Sequence, residues 1–182
     1  MKLYTMAALA VATLPLAACL GSEDNELPDN YEEVSSLYEA VQNEELEVAS
    51  EELMSGTATL SGAIAIADLG EDEDLEAIGA LTLTANFTTD KVTGTADSFA
   101  LYEYDTSEVE ASLTGSLDIE GDISGTSMTA DLEGTLTDDE DHDVALTMDG
   151  TFYDSDGALA VVGDIEGMID DDSVEGGFAA IE

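Results

Sequence analysis

The sequence predicts an all-β protein, an eight-stranded antiparallel up-and-down β-barrel preceded by a short amphipathic helix. From Ser55 onward, apolar residues recur at every second position, as in strands with one buried face. Short polar connections such as Gly121-Asp122 and Asp154-Ser-Asp-Gly157 indicate hairpins rather than crossovers. Small inward residues let strands coil tightly and close on themselves. Glycines recur on the apolar face at Gly62, Gly94, Gly115, Gly134, Gly150 and Gly163.

Composition limits the possible functions. The chain has 182 residues, of which 44% are hydrophobic, so it can fold as one domain. Its 44 Asp and Glu against 2 Lys and Arg give a net charge of −42, which excludes nucleic-acid binding. With one His, one Cys and no Arg, it lacks the residues that most catalytic sites need, and we expect no enzyme.

The amino terminus has the form of a secretory signal over residues 1–18, with Lys2 followed by an apolar stretch too short to span a bilayer. The stretch ends in Leu16-Ala-Ala-Cys19, which resembles the lipobox of bacterial lipoproteins. That resemblance implies a mature chain that begins at Cys19, carries lipid there and is thereby anchored to a membrane. Leu20 after the cysteine implies export to the outer membrane. The alternative is an incidental Cys19 near an ordinary cleavage site.

Two segments precede the barrel, which we assign to residues 55–182. Residues 19–30 are polar and aperiodic, and we interpret them as a flexible tether. Residues 31–54 form a helical segment, in which the pattern predicts a helix over 31–42, with the option of continuing past Leu46. The expected role of this helix is to cover one end of the barrel. Its apolar face is formed by Val34, Leu37, Tyr38 and Val41.

The strand between Val92 and Tyr104 interrupts the alternation. Val92 and Ala96 set the even positions inward, whereas the large apolar residues that follow are odd. One interpretation is a β-bulge near Asp97 and Ser98 that returns the odd residues to the core. The other is an exposed patch that binds a protein partner. The residues of this partner-binding patch are Phe99, Leu101, Tyr102 and Tyr104.

Several motifs in their order resemble the barrel of transferrin-binding protein B and related bacterial surface lipoproteins. They are Ser55-Gly-Thr-Ala-Thr-Leu-Ser-Gly62, Leu81-Thr-Leu-Thr-Ala-Asn-Phe-Thr-Thr-Asp-Lys-Val-Thr-Gly94, Val162-Gly-Asp-Ile-Glu-Gly167 and Val174-Glu-Gly-Gly-Phe178. The resemblance implies a lipid-tethered barrel at the outer membrane that faces outward and captures a protein or its metal cargo. This chain has one barrel and short hairpins, so no binding residue carries over.

Alternate hairpins of a meander lie at one end, here called the acidic pole: residues 68–77, 103–108, 137–143 and 170–173. Together they carry 17 carboxylates, and we expect this pole to point away from the anchor, because the tether enters the first strand from the other end. The functional interpretation is weak Ca²⁺ binding, since Ca²⁺ prefers several carboxylate oxygens; the alternative is solvated loops. We expect no tightly bound cofactor. The cation candidates are Asp138, Asp139, Asp141, Asp170 and Asp171.

His142 lies within this acidic run, and its negative neighbours favour the protonated imidazolium. We interpret it as a loop residue that softens the local charge rather than as a ligand or base.

The residues and the resemblance together favour a surface-exposed binding module for an extracellular protein, with a basic partner favoured by the acidic surface. A lipocalin-like carrier is the first alternative, disfavoured because bulky inward side chains should nearly fill an eight-stranded interior. A passive acidic coat protein is the second. A membrane-spanning barrel is disfavoured because Trp is absent and aromatic residues make up 5% of the chain.

Overall fold

The computed structural model describes residues 27–28, 30–67, 75–103 and 109–182. The signal segment 1–18, Cys19 and most of the tether lie outside these ranges. Within them, no helix is long and apolar enough to span a membrane. The elements are α1 (Tyr31–Gln42), β1 (Glu47–Val48), β2 (Thr57–Ala67), β3 (Leu75–Asn86), β4 (Lys91–Glu103), β5 (Val109–Ser112), β6 (Thr114–Ser124), β7 (Ser127–Thr137), β8 (Asp141–Ser155), β9 (Ala158–Ile169) and β10 (Asp172–Ile181).

The protein is a closed barrel of eight antiparallel strands preceded by one short helix, which confirms the predicted fold. Each barrel strand pairs with the next along the chain, and β2 pairs with β10 to close the ring. The short strand β5 leads into β6 and pairs with β4. Strand β1 pairs with Tyr153 and Asp154 near the carboxyl end of β8.

The apolar face fills the interior. Leu60, Leu117 and Met148 are fully buried, as the alternation predicts. Inward glycines mark places where neighbouring strands approach too closely for a side chain: a Cβ atom on Gly62 would overlap the carbonyl oxygen of Ala179 on β10. This close approach agrees with the predicted role of the inward glycines in tight coiling.

Helix α1 packs on the outer wall of the barrel, so the expectation that it covers an end is wrong. Its Val34 and Leu37 are buried against small outward side chains, which form an apolar strip that accepts the helix. The predicted bounds 31–42 are confirmed, but the helix does not continue past Leu46, because the chain turns at Glu44, where φ is 58°. The strip consists of Ala63, Ala160, Val162 and Ala179 on β2, β9 and β10.

The end of the barrel opposite the acidic pole is covered by the loop that follows β1. Leu53 and Met54 pack against the interior core, and the backbone N–H of Ala49 donates to the carbonyl oxygen of Phe152 at 2.9 Å. The second half of the 31–54 segment is therefore not helical, and it performs the covering role expected of the helix.

The direction of α1 determines from which end of the barrel the chain arrives. Leu27, before the helix, packs with Ile78 and Tyr102 near the acidic-pole ends of β3 and β4. The helix then carries the chain down the wall to the opposite end. Leu27, in the described end of the tether, thus lies on the acidic-pole half of the barrel, which removes the reason for expecting that pole to point away from the anchor.

A β-bulge resets the register of β4, as the first interpretation predicts. Ser98 has φ of 55°, and the β3–β4 register shifts between Ile78 and Ala80. Phe99 therefore points inward, is 1% exposed and lies against Gly79. Leu101 also packs against the core.

The exposed patch is accordingly wrong for Phe99 and Tyr102, whereas Leu101 packs against the core and keeps part of its side chain exposed. Phe99 belongs to the interior. Tyr102 faces outward but is 2% exposed, because Leu27 and Tyr31 cover it. Tyr104 lies outside the described residues.

One predicted hairpin turn is confirmed and another is shifted. Asp156 and Gly157 connect β8 to β9 with φ of 55° and 92°, the positive values that a type I′ turn requires. Gly121 and Asp122 instead pair within β6, and the turn comes later, at Gly125, where φ is 62°.

Candidate binding site at the mouth of the barrel

The connections that define the acidic pole leave the barrel at the same end, as the antiparallel order requires. Residues 68–74 and 104–108 lie outside the described residues. The other two hairpins touch each other: the N–H of Asp143 donates to Oδ1 of Asp170 at 2.9 Å, and the N–H of Asp170 donates to the carbonyl oxygen of Asp143 at 2.8 Å.

The barrel opens at this pole into a cavity of about 540 Å³, here called the mouth pocket. Its floor is apolar and consists of Leu75, Ala77, Leu101, Leu113, Leu136, Val144, Ile169 and Val174. Its rim is polar and consists of Asp138, Glu140, His142, Asp170 and Asp172. The pocket therefore combines apolar surface with a ring of carboxylates at one opening.

The strand pattern explains this combination. Inward positions are apolar nearly to the pole ends of the strands, as at Leu136 on β7 and Ile169 on β9, and acidic connections follow within two residues. His142 on β8 and Asp172 on β10 take the outermost places, two residues before the buried Val144 and Val174. The bulge at Ser98 adds Leu101 to the floor, because without it the even residues of β4 would face inward. The same irregularity that removed the predicted surface patch thus supplies part of the pocket.

His142 bridges the two described hairpins across the rim. Its Nδ1 lies 3.0 Å from Oδ2 of Asp170, and its Nε2 lies 3.3 Å from Oδ1 of Asp138. The carboxylate of Asp138 also accepts the backbone N–H of Glu140 at 2.9 Å. His142 is a residue of β8 rather than of a free loop, and its side chain is one-third exposed.

The contacts shift the protonation equilibria of all three side chains. The hydrogen bond to Asp170 raises the pKa of His142 above its ordinary 6.5. The backbone N–H of Glu140 lowers the pKa of Asp138, and the hydrogen bond from His142 lowers the pKa of Asp170. The sequence predicts the direction of the His142 shift, but the main partner comes from the distant β9–β10 hairpin.

The five cation candidates do not converge. Asp138 and Asp170 meet at His142, whereas Asp141 accepts a hydrogen bond from Oγ1 of Thr137 at 2.9 Å. Asp139 and Asp171 are exposed. Among the residues that the structure describes, no group of three or more His, Cys, Asp or Glu side chains could hold a metal ion. Weak Ca²⁺ binding at this pole stays a prediction.

The floor of the pocket is not among the features predicted from the sequence, because the inward residues are expected there to form one filled interior. The available signal is positional: Leu113, Leu136 and Ile169 are inward residues at the strand ends beside the acidic connections.

Comparison with known proteins adds no relative. The chain matches no protein-family model, and no curated protein matches it. The resemblances to transferrin-binding protein B and to the lipobox therefore rest on the residues of those motifs alone, and any functional conclusion depends on the chain's own geometry.

Proposed function

We propose that this protein is a lipid-anchored binding module of the bacterial outer membrane, exposed at the cell surface, and that its barrel binds a basic extracellular protein at the mouth pocket. The observation that carries the proposal is the mouth pocket itself, an apolar floor open to solvent within a ring of carboxylates. Protein-binding sites commonly place an apolar centre inside a polar rim.

The rest of the surface supports the choice of the mouth. Over the described part of the chain, only two large apolar side chains are exposed, Val48 and Met168. The apolar strip on β2, β9 and β10 is already covered by α1. Apolar contact area and negative charge therefore meet at the mouth, where a basic partner gains from both.

The proposed anchor fits the path of the chain. Eight residue steps separate Cys19 from Leu27, a reach of at most about 28 Å when fully extended. Leu27 packs on the acidic-pole half of the wall. Lipid at Cys19 would hold the barrel beside the membrane and leave its orientation to the tether.

A small-ligand carrier is the second candidate, because the volume of the mouth pocket falls within the range of about 300 to 1,000 Å³ that is usual for small-molecule sites. The interior below the pocket is closed: Leu83, Leu117 and Leu132 are fully buried. A carried ligand would therefore occupy the mouth and not the barrel centre.

The test follows the full chain in intact cells of the producing bacterium. We expect wild-type protein in the outer-membrane fraction, acylated at Cys19 by intact mass and degraded by protease added to whole cells. Cys19→Ser should leave the membrane fraction. Protection from protease until the cells are permeabilised would contradict the surface location, and unchanged fractionation of Cys19→Ser would contradict the anchor.

The partner class is tested on the same cells with two soluble proteins, lysozyme as the basic probe and ovalbumin as the acidic one. Retention of the basic probe should fall in Glu140→Gln/Asp172→Asn and persist in Asp131→Asn/Glu133→Gln, a matched change on the outer wall. Equal retention by both variants would contradict binding at the mouth.

A further inference from the structure

We infer that the mouth pocket is a site for a cationic amphiphile, an apolar chain that enters the floor while its ammonium or guanidinium group pairs with rim carboxylates. The inference deepens the proposed function and rests on it, since it names the chemistry through which a basic partner would be held. The same chemistry is found in a free alkylamine and in a Lys- or Arg-bearing apolar segment of a protein.

The floor selects for an apolar chain. It is built entirely from aliphatic side chains, so it offers dispersion contacts and no hydrogen-bonding side chain to an entering group. Val144 and Val174 are buried at its base, and Leu101 and Leu113 are partly exposed. The apolar surface of the partly exposed leucines is what a ligand would remove from water.

The rim selects for a cation. Among the described residues, four carboxylates line the opening against the single imidazole of His142. Asp138 and Asp170 are already engaged by His142, whereas no hydrogen bond or ion pair within the described ranges occupies the side chains of Glu140 and Asp172. Two carboxylates at the opening can therefore receive a positively charged group.

The basic residue of the described chain cannot neutralise this rim. Lys91 begins β4 at the opposite end of the barrel, where it pairs with Asp122. The mouth therefore keeps its negative field, which attracts cations and repels an anion of the same shape.

The first experiment compares three ligands with the same eight-carbon chain: octylammonium, octanol and octyl sulfate. Each is titrated calorimetrically, below its micellar concentration, into the full chain carrying Cys19→Ser, so that no detergent is needed. We expect one octylammonium per barrel, bound about tenfold more tightly than octanol, because a charge-assisted contact is added. Octyl sulfate should not bind. Equal binding of octylammonium and octanol would remove the role of the rim.

Two matched variant pairs separate a site from general attraction to an acidic protein. Glu140→Gln/Asp172→Asn should weaken octylammonium binding by at least about fivefold, as expected for loss of both available rim charges. Asp131→Asn/Glu133→Gln makes the same change in net charge on the outer wall and should leave affinity unchanged. An equal loss in both pairs would show diffuse attraction and overturn the inference.

Leu113→Trp tests the floor by filling it from a partly exposed position. Binding of octylammonium should be lost while the melting temperature stays close to that of the Cys19→Ser parent. If this variant does not fold, the exposed rim pair still decides the question, because neither of its side chains is buried.

A final arm distinguishes the two sources of the cationic group and keeps this inference separate from the proposed function. A peptide of alternating Leu and Lys should compete with octylammonium if a protein segment is the natural occupant, whereas failure to compete would assign the site to free amines. If octylammonium does not bind while the protease and lysozyme results stand, the amphiphile site is wrong and the surface module is not.

Discussion

The outer surface of the barrel has two contrasting walls around one interior. The covered wall is the apolar strip of Ala63, Ala160, Val162 and Ala179 beneath α1. The acidic wall lies on β6 and β7, where Asp118 stands directly opposite Glu133 and Glu120 opposite Asp131. Inward positions are apolar behind both walls. The contrast teaches that barrel closure dictates the inner face, while the outer face depends on what covers it.

Carboxylates that face each other on the acidic wall repel one another and lower the stability of the barrel. Like charges directly opposite in an antiparallel pair destabilise it by several tenths of a kcal/mol, up to about 1 kcal/mol per pair. A further pair on β8 and β9 joins Asp149 and Asp164, where hydroxyl donors soften the repulsion: Thr129 donates to Asp149 at 2.6 Å, and Tyr38 donates to Asp164 at 2.8 Å. The four carboxylates of the β6–β7 pairs accept no such hydroxyl bond from the described residues, so ions from solution are left to screen them.

The largest expected effect tests whether the interior is the same behind both walls. Leu117→Ala, behind the acidic wall, and Leu60→Ala, on β2 beside the covered strip, should each lower the free energy of unfolding by about 2 to 5 kcal/mol. Both side chains are fully buried, so the two losses should be similar in urea denaturation. A much smaller loss at Leu117 would mean that the acidic wall encloses a looser core.

The next prediction breaks the covered wall. Leu37→Asp places a carboxylate between α1 and the barrel, and we expect a loss of about 2 to 4 kcal/mol from lost burial and charge desolvation. Ser36→Asp adds the same charge to the exposed side of the helix and should change stability by less than about 0.5 kcal/mol. Equal melting curves for the two variants would show that the docked helix contributes nothing.

Salt should act on the acidic wall. Raising NaCl from about 0.1 M to about 1 M shortens the screening length from about 10 Å to about 3 Å and should raise stability by about 1 to 2 kcal/mol. Glu133→Gln should stabilise by several tenths of a kcal/mol at low salt, and this gain should vanish at high salt. Glu51→Gln, an exposed site on the end loop, is the control. A gain that persists in high salt would indicate packing rather than charge.

The smallest expected effect is the pH dependence of the His142 bridge. Because the folded pKa of His142 is raised, the stabilisation that His142 contributes is present below pH 6.5. It is lost as the pH rises through the folded pKa. Because the folded pKa values of Asp138 and Asp170 are lowered, the stabilisation that these two carboxylates contribute is present above pH 3.8. It is lost as the pH falls through their folded pKa values. The stability difference between wild type and His142→Gln should therefore peak between these limits. A difference that grows above pH 7 would contradict the bridge.

The fold was predictable because a period of two, inward glycines and short turns agree along most of the chain. The place of α1 was not foreseen, although a signal exists: Leu159-Ala-Val-Val162 and Phe178-Ala-Ala-Ile181 are apolar on both faces, as strands covered on both sides are. A search for alternation identifies the inward face of each strand and misses apolar residues on the outward face.

The candidate site was predictable only in part. The sequence located the acidic pole and the unusual stretch at Phe99, because both are visible as local departures from pattern. Two features depend on strand register rather than on local pattern: the floor of the mouth pocket and the contact between His142 and Asp170. Register decides which residues of distant hairpins lie side by side at the end of the barrel.

The pairing of β2 with β10 bears on when the protein can fold. It joins the first barrel strand to the last, so it is the barrel pairing with the greatest separation in sequence, and α1 lies across β2, β10 and β9 on its outer side. Contacts between distant parts of a chain form slowly, because the loop between them must be ordered first. Closure of the barrel and docking of α1 therefore both require the carboxy-terminal strand. In the export that we propose for this chain, the barrel would stay unfolded until its last strand had crossed the membrane, which is the state that a translocating polypeptide requires.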